Sequence, residues 1–368
     1  MKYYDLTKLN KVGKDCKYKI CFGERSNGKT FSILKYALKK YVKTGGQLAI
    51  LRRWQEDFKG KRAATYFDSL ISDGNEHNNI LELTGGKYDR VAYFSGRWFL
   101  AYYDDEQEKV IQAPEAFAYA FPISNMEHEK GNSYPKITTI FFDEFMTRGT
   151  YLPDEFILTM NMISTIVRSR DNVEIYFAAN TVSMYGCPYF SEMGLDVKTM
   201  QKGEIRIFKY GDSKLQVAVE YCDSPNTFKP SDVYFAFKNE KIKMITGGAW
   251  EFDFYPHLLE KHTEKDIIFS YFIIYEDKTL QADIVRQPNR CYTFIHLKTT
   301  PIKYEEKDIV FTTEANPKYN YFGRLTKPAT KAAKKIYWFF AANKVFYQSN
   351  EIGEIMNRYL AWSNGLQK

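Results

Sequence analysis

Residues Gly23-Glu24-Arg25-Ser26-Asn27-Gly28-Lys29-Thr30 spell G-x-x-x-x-G-K-[ST], and this octet limits the folds open to the chain more than any other stretch. The pattern carries meaning only between a strand and a helix. Both flanks fit. The apolar run Tyr18-Lys19-Ile20-Cys21-Phe22 precedes it, and Ile33, Leu34, Ala37, Leu38, Tyr41 and Val42 follow at helical spacing. Gly45-Gly46 then ends the predicted helix. In such a unit, successive backbone N–H groups and the helix N-terminus bind phosphate. Gly23 and Gly28 permit conformations and close approaches that a Cβ would obstruct. Lys29 is placed for the β- and γ-phosphates, and the Thr30 hydroxyl for Mg²⁺. The octet therefore predicts an ATP site built from Gly23, Glu24, Arg25, Ser26, Asn27, Gly28, Lys29 and Thr30.

Thr138-Thr139-Ile140-Phe141-Phe142-Asp143-Glu144 is an apolar strand ending in two acids, the shape of a Walker B motif. Such a strand carries Asp143 to the Mg²⁺ shell at the carboxyl edge of an open α/β sheet, where ligands bind. Glu144 is placed to orient or deprotonate a water in line with the γ-phosphate. The next strand, Ile175 to Ala179, ends at Asn180. That amide can bond the attacking water or the γ-phosphate, or merely form a turn. Three sets of arginines compete to face phosphate: Arg25 in the loop, Arg52 and Arg53 after a strand, and Arg168 and Arg170 after a helix. For the last pair, capping a helix C-terminus is the alternative to a finger entering a neighbouring subunit. Composition does not choose among the three.

Strands alternate with helices as far as residue 220, which predicts an α/β domain: a mostly parallel sheet with helices on both faces. Pro153-Asp154-Glu155 opens one such helix, with Phe156, Ile157, Met160, Ile163, Ile166 and Val167 at helical spacing. A polar helical stretch is expected over 57–73. From Ile80 to Ile123 the pattern turns to β. Leu81–Leu83, Val91–Phe94 and Trp98–Tyr102, separated by glycine turns, predict a small antiparallel insertion. Residues 1–220 are thus expected to form the ATPase domain, and 221–245 a linker around Cys222 to Pro230. A C-terminal α+β domain is expected over 246–368. Its strands run Ile267–Tyr275, Leu280–Val285 and Tyr292–Leu297, before helices near 329–342 and 350–362.

The 368 residues, 44% hydrophobic and 17% aromatic, suffice for two cores. No run of 18 uncharged apolar residues exists, so no membrane span is expected. The start, Met1 to Asp5, lacks the apolar core of a signal peptide. Five cysteines without paired spacing predict a reducing, cytosolic protein with neither a disulfide framework nor a zinc site. Residues 315–368 carry nine Lys/Arg against Glu351 and Glu354, which accounts for the whole net charge of +7. Interleaved with Tyr, Trp and Phe, this region fits a nucleic-acid partner, a solvated helix face being the plainer reading.

With these residues assembled, the chain resembles the encapsidation proteins of small tailed phages of the phi29 type, the ATPases of viral DNA-packaging motors. The resemblance rests on Gly23–Thr30, Leu51-Arg52-Arg53 and Glu129-Lys130-Gly131-Asn132-Ser133-Tyr134-Pro135. It continues through Thr139–Phe145, Val167-Arg168-Ser169-Arg170, Ala179-Asn180 and Pro188-Tyr189-Phe190, so it covers about residues 15–190. It implies a P-loop NTPase of the additional-strand, catalytic-glutamate type, with a C-terminal domain resembling an RNase H-like nuclease that has lost its catalytic acids. Asp266, Glu276, Asp277, Asp283, Glu305, Glu306, Asp308 and Glu314 form no carboxylate cluster of the kind two-metal cleavage needs.

By the same resemblance, Arg168 falls where the family places a trans-acting finger, and Lys130 where it places a second basic residue crossing the subunit interface. The implied function is ATP-driven translocation of double-stranded DNA into a prohead. The implied assembly is a ring, usually a pentamer, in the host cytoplasm and transiently at the portal vertex. A structural RNA is left open as a further partner. The alternatives are a helicase, a nuclease-active terminase, or a structural protein that binds nucleotide only to hold an assembly together.

Overall fold

β1 (Tyr18–Gly23), which leads into the phosphate-loop octet, lies inside a ten-stranded sheet with a parallel partner on either side. The computed structural model describes residues 4–25, 27–72, 77–129, 131–147, 151–182, 187–223, 255–258, 262–275 and 278–365. The chain divides into two units, Met1–Glu251 and Phe252–Lys368.

In the first unit the strand order is β3 (Arg90–Phe94), β4 (Arg97–Asp104), β6 (Ala118–Pro122), β2 (Gln47–Arg52), β7 (Ile137–Asp143), β8 (Glu174–Asn180), β1, β10 (Gln216–Tyr221) and β9 (Ile205–Lys209). β5 (Lys109–Gln112) hangs on β4. From β6 to β10 every pair is parallel, so six strand ends share one edge. Alternating side chains commit the strands to both faces. Cys21, Phe141 and Tyr176 join the core under helix α2 (Lys29–Thr44), with Ile33, Leu34, Ala37 and Leu38. Phe22, Phe142 and Phe177 face the other way and meet Tyr189 and Phe190 edge to face at 5.4–5.7 Å. α1 precedes β1 at Leu6–Val12, and α3 (Glu155–Val167) connects β7 to β8.

Several expectations shift. Leu81–Leu83 is not a strand but the end of the short helix Asn79–Leu83, because the Asn78 side chain caps the N–H groups of Ile80 and Leu81 at 3.0 Å. β3 to β5 pair antiparallel but extend the main sheet rather than standing apart: β6 joins them, antiparallel to β4 on one side and parallel to β2 on the other. The helix expected from Pro153 begins at Glu155, after Asp154 at φ +52°. Residues 57–72 of the expected helical stretch hold short helical pieces rather than one helix, and residue 73 lies outside the described residues.

In the second unit the order is β15 (Tyr321–Phe322), β14 (Val310–Thr312), β11 (Ile267–Tyr275), β12 (Lys278–Gln287), β13 (Arg290–Leu297) and β16 (Val345–Tyr347). β11 to β13 form an antiparallel meander, and β14 runs parallel to β11. Helices α4 (Lys331–Ala341) and α5 (Asn350–Asn364) share a core with Tyr271, Ile273, Leu280, Ala282 and Ile295. The Thr330 and Ser349 hydroxyls cap them. Beyond Asp223 the expected linker at 221–245 lies outside the described residues. Among the described residues, no helix is long and apolar enough to cross a membrane.

Candidate nucleotide site

Gly28 caps α2 with φ +90°, a conformation that side chains rarely adopt. Gly23 is needed for a different reason: a Cβ there would lie 3.0 Å from both the Cβ and the carbonyl oxygen of Cys222. Between them, Glu24 pairs with Lys202 at 2.6 Å, and Arg25 is exposed. The main-chain carbonyl of Asn27 accepts the Tyr4 N–H at 2.7 Å, so the segment before α1 braces the loop. The Asn27 Nδ2 is buried without a partner among the described residues. Ser26 lies outside the described residues.

Lys29 is 5% exposed, and among the described residues its ammonium donates only to neutral oxygens: the Glu24 carbonyl at 2.6 Å, Asn27 Oδ1 at 3.0 Å and Asn180 Oδ1 at 3.5 Å. Burial pushes its pKa below the ordinary value. A buried cation with no carboxylate in contact is costly, and an anion delivered to it removes that cost. The Thr30 hydroxyl donates to Asp143 Oδ1 at 3.0 Å. Hydroxyl and carboxylate oxygens are the hard donors that Mg²⁺ takes, so this pair fits the metal.

Asp143 keeps its other oxygen on Arg52 Nη2 at 2.7 Å and on the Tyr66 hydroxyl at 2.8 Å. The Arg52 guanidinium lies 5.4 Å from the centre of the Tyr66 ring and 3.7 Å from the Glu144 carboxylate. Burial works against the Arg52 charge, but Asp143, Tyr66 and Glu144 outweigh it and hold its pKa above the ordinary value. Tyr66 escaped sequence reasoning, since nothing in the polar 57–73 stretch marks one residue. Glu144 turns off the end of β7 at φ +59°, its N–H bonded to the Ala178 carbonyl at 2.8 Å and its side chain 60% exposed. Asn180 lies level with Gly23 in the β8–β1 register. Lys29, Thr30, Asp143, Glu144 and Asn180 thus meet at one sheet edge.

Arg53 spends its charge on Glu155, although its Nη1 also donates to the Glu144 carbonyl at 3.4 Å. It makes a two-pronged pair with Glu155 at 2.6 and 2.7 Å and donates to the carbonyl of Phe145 at 2.9 Å. Glu155 also accepts from the Tyr189 hydroxyl and the Leu152 N–H. Both partners are buried. Removing one member of such a pair strands the other charge, so Arg53→Ala is expected to cost about 3–5 kcal/mol. Urea unfolding of the full chain measures this, and a loss below about 1 kcal/mol would contradict the burial argument.

Arg168 lies elsewhere. It caps α3 at φ +39° and ψ 174°, is exposed, and donates to the Asn132 carbonyl. Asn132 precedes β7, whereas Asp143 ends it, and a strand of seven residues spans roughly 20 Å. Arg168 is therefore remote from its own phosphate loop. Arg170 is wholly engaged by backbone carbonyls. Lys130 lies outside the described residues. Backbone strain of order 1–3 kcal/mol at positions such as Glu144 and Arg168 persists only where the surroundings enforce it.

In the second unit, Asp283 is buried and held by Ser270 at 2.6 Å, Gln281 at 2.9 Å and His296 at 3.0 Å. Among the described residues no group of three His, Cys, Asp or Glu is placed to hold a metal; Glu276 and Asp277 lie outside them. Lys331, Lys334, Lys335 and Trp338 are exposed along α4, and the Lys344 ammonium sits 5.1 Å from the Trp338 ring centre.

Residues 2–292 match the model of the podovirus DNA encapsidation protein (Gp16) family. The chain belongs to that family. A DNA packaging protein of Bacillus phage PZA is 24% identical over 271 residues, 70% of this chain and 69% of that protein. One from Bacillus phage B103 is 27% identical over 176 residues, 47% of this chain and 46% of that protein, so this match spans about half of each. In fold, this encapsidation-family chain is similar to a chain of the bacteriophage phi29 genome packaging motor assembly, with a TM-score of 0.61, 19% identity and 98% and 100% of the two chains covered. A chain of the phi28 packaging motor gives a TM-score of 0.56 at 19% identity, covering 99% and 97%. The sheet carrying the P-loop accordingly shares its fold with these packaging-motor chains.

Proposed function

We propose that this chain is the ATPase of a viral DNA-packaging motor, hydrolysing ATP to drive double-stranded DNA into a prohead. The observation that carries the ATP site is Lys29, a buried ammonium facing only neutral oxygens among the described residues. A triphosphate supplies the negative charge it lacks. Thr30 and Asp143 would hold Mg²⁺, which when bound would supply positive charge against the triphosphate. Arg52 and Tyr66 fix the Asp143 carboxylate in orientation. Glu144, exposed at the mouth of the site, orients and deprotonates the attacking water. Asn180 bonds that water or the γ-phosphate. Gly23, Glu24, Arg25, Ser26, Asn27 and Gly28 complete the phosphate cradle.

Arg168, distant from its own loop, completes the site of the next subunit in a ring, and Lys130 is the second basic residue assigned to that interface; the ring is a pentamer on the portal vertex. Residues 1–220 are the motor domain and 246–368 the basic domain. Its meander followed by a strand parallel to β11 supports an RNase H-like ancestry, and the engagement of Asp283 by Ser270, Gln281 and His296 supports the loss of nuclease chemistry. ATP turnover measured with DNA and proheads, separately and together, tests the reading. Turnover should rise when both are present, and a rate indifferent to both would sink it.

The lysines of α4 are proposed to contact phosphates, and a structural RNA is an equal candidate for them. Such binding releases counterions and ignores sequence. Three phosphate contacts should lose roughly 40-fold in affinity between 50 and 200 mM salt. Filter binding of the full chain to unrelated duplexes measures this. A sequence-specific, salt-independent interaction would contradict it.

A further inference from the structure

We infer that Arg170 is a positioning residue that staples the segment before β7 to the end of α3 and so aims Arg168 at the neighbouring subunit. This rests on the reading of Arg168 as a trans-acting residue. A guanidinium carries five N–H donors in a rigid planar fork. In Arg170 the fork is fully used. Its Nε donates to the Val167 carbonyl at 3.1 Å. Its Nη1 donates to Pro135 at 2.9 Å and Ile137 at 2.6 Å. Its Nη2 donates to Tyr134 at 3.1 Å and Ile166 at 2.6 Å.

Two of these carbonyls belong to the last turn of α3, where helix geometry leaves them without intrahelical donors. The other three belong to a segment some 30 residues earlier in the chain. One side chain therefore joins two pieces of backbone that are distant in sequence. Arg168 sits between the joined pieces. Its N–H caps the Ser164 carbonyl at 2.8 Å, and its guanidinium reaches the Asn132 carbonyl of the stapled segment. From the far side, the Tyr134 ring is seated against Phe121 at 4.9 Å and Tyr119 at 5.9 Å, and its hydroxyl donates to Glu129. The two arginines, two residues apart, thus divide the work: Arg170 is consumed by the backbone, and Arg168 stays exposed. The positive φ of Arg168 is the local conformation this framework imposes.

Arg170→Ala should leave binding of a fluorescent non-hydrolysable ATP analogue with Mg²⁺ unchanged, because the phosphate loop lies at the opposite sheet edge. Turnover of the assembled ring should fall about 10²-fold, the size of effect expected when a reacting group is misplaced by an ångström. Arg170→Lys should do no better, since an ammonium cannot span five carbonyls. Mixed with Lys29→Ala subunits, which keep an intact Arg168, Arg170→Ala subunits should regain partial turnover. Loss of analogue binding would assign Arg170 to the stability of its own domain and overturn the inference, as would normal turnover. Failure to be rescued, in mixtures where Arg168→Ala is rescued, would overturn it while sparing the trans role. Failure of both rescues would bring down the trans role and this inference with it.

Discussion

Arg168→Ala should lower turnover in the assembled ring on the order of 10³–10⁵-fold, the range for arginines that neutralise γ-phosphate charge in the transition state. The effect should come without loss of ATP binding, because Arg168 touches the Asn132 carbonyl at the edge of the sheet remote from Lys29 and Asp143. As a mere helix cap it would be worth only about 0.3–1 kcal/mol of stability. Mixing separates the two readings. Arg168→Ala subunits keep a working phosphate loop, and Lys29→Ala subunits keep a working arginine. Mixed rings should therefore recover part of the turnover that neither variant has alone. If mixtures stay inactive while rings still form, Arg168 acts on its own subunit or on none.

Glu144→Gln should bind ATP as the unchanged protein does and turn it over about 10²–10⁴-fold more slowly, the usual contribution of a positioned general base. The amide keeps the shape of the side chain, and the bond from the Glu144 N–H to Ala178 does not depend on it. The lost element is the carboxylate charge. Lys29→Ala is the complementary variant: it should abolish nucleotide binding itself, since the buried ammonium is the cation the phosphates meet. Equilibrium binding and single-turnover rates separate binding from chemistry. Normal turnover by Glu144→Gln would remove this glutamate from the mechanism.

The phosphate loop, the acid-tipped strand and the residues flanking them were legible because each is a contiguous pattern whose meaning depends on its neighbours in sequence. β11 and the two C-terminal helices were legible for the same reason, as alternation and helical spacing are local. What was not legible depends on partners far apart. Arg53 read as a phosphate candidate at a strand end, but its partner Glu155 is 102 residues away and looked like an acid opening a helix. From the residues alone Arg170 is not distinguished from Arg168; the resemblance singles out Arg168, and the carbonyls of Tyr134, Pro135 and Ile137 around Arg170 give the physical difference. β6 does pair antiparallel with β4, but its parallel pairing with β2 on the other side is not visible in its own residues. Leu81–Leu83 misled because a three-residue apolar alternation is too short to outweigh the capping bond from Asn78.

The placement of β1 also bears on how the chain is made. Tyr18 is flanked by Ile175 on one side and Val217 on the other, so the strand that delivers the phosphate loop borrows both neighbours from the far end of its unit. Pairings of such long sequence separation are slow to form, because the entropy of closing a long loop is spent before any contact repays it. During synthesis the octet emerges well before either partner of its strand: β8 is complete only at residue 180 and β10 only at residue 221. Its apolar neighbours Ile20, Cys21 and Phe22 remain uncovered for that interval. A chain stopped short of β10 would carry every letter of the nucleotide motif and still expose one long edge of its central strand, which is the kind of surface on which unfinished chains aggregate.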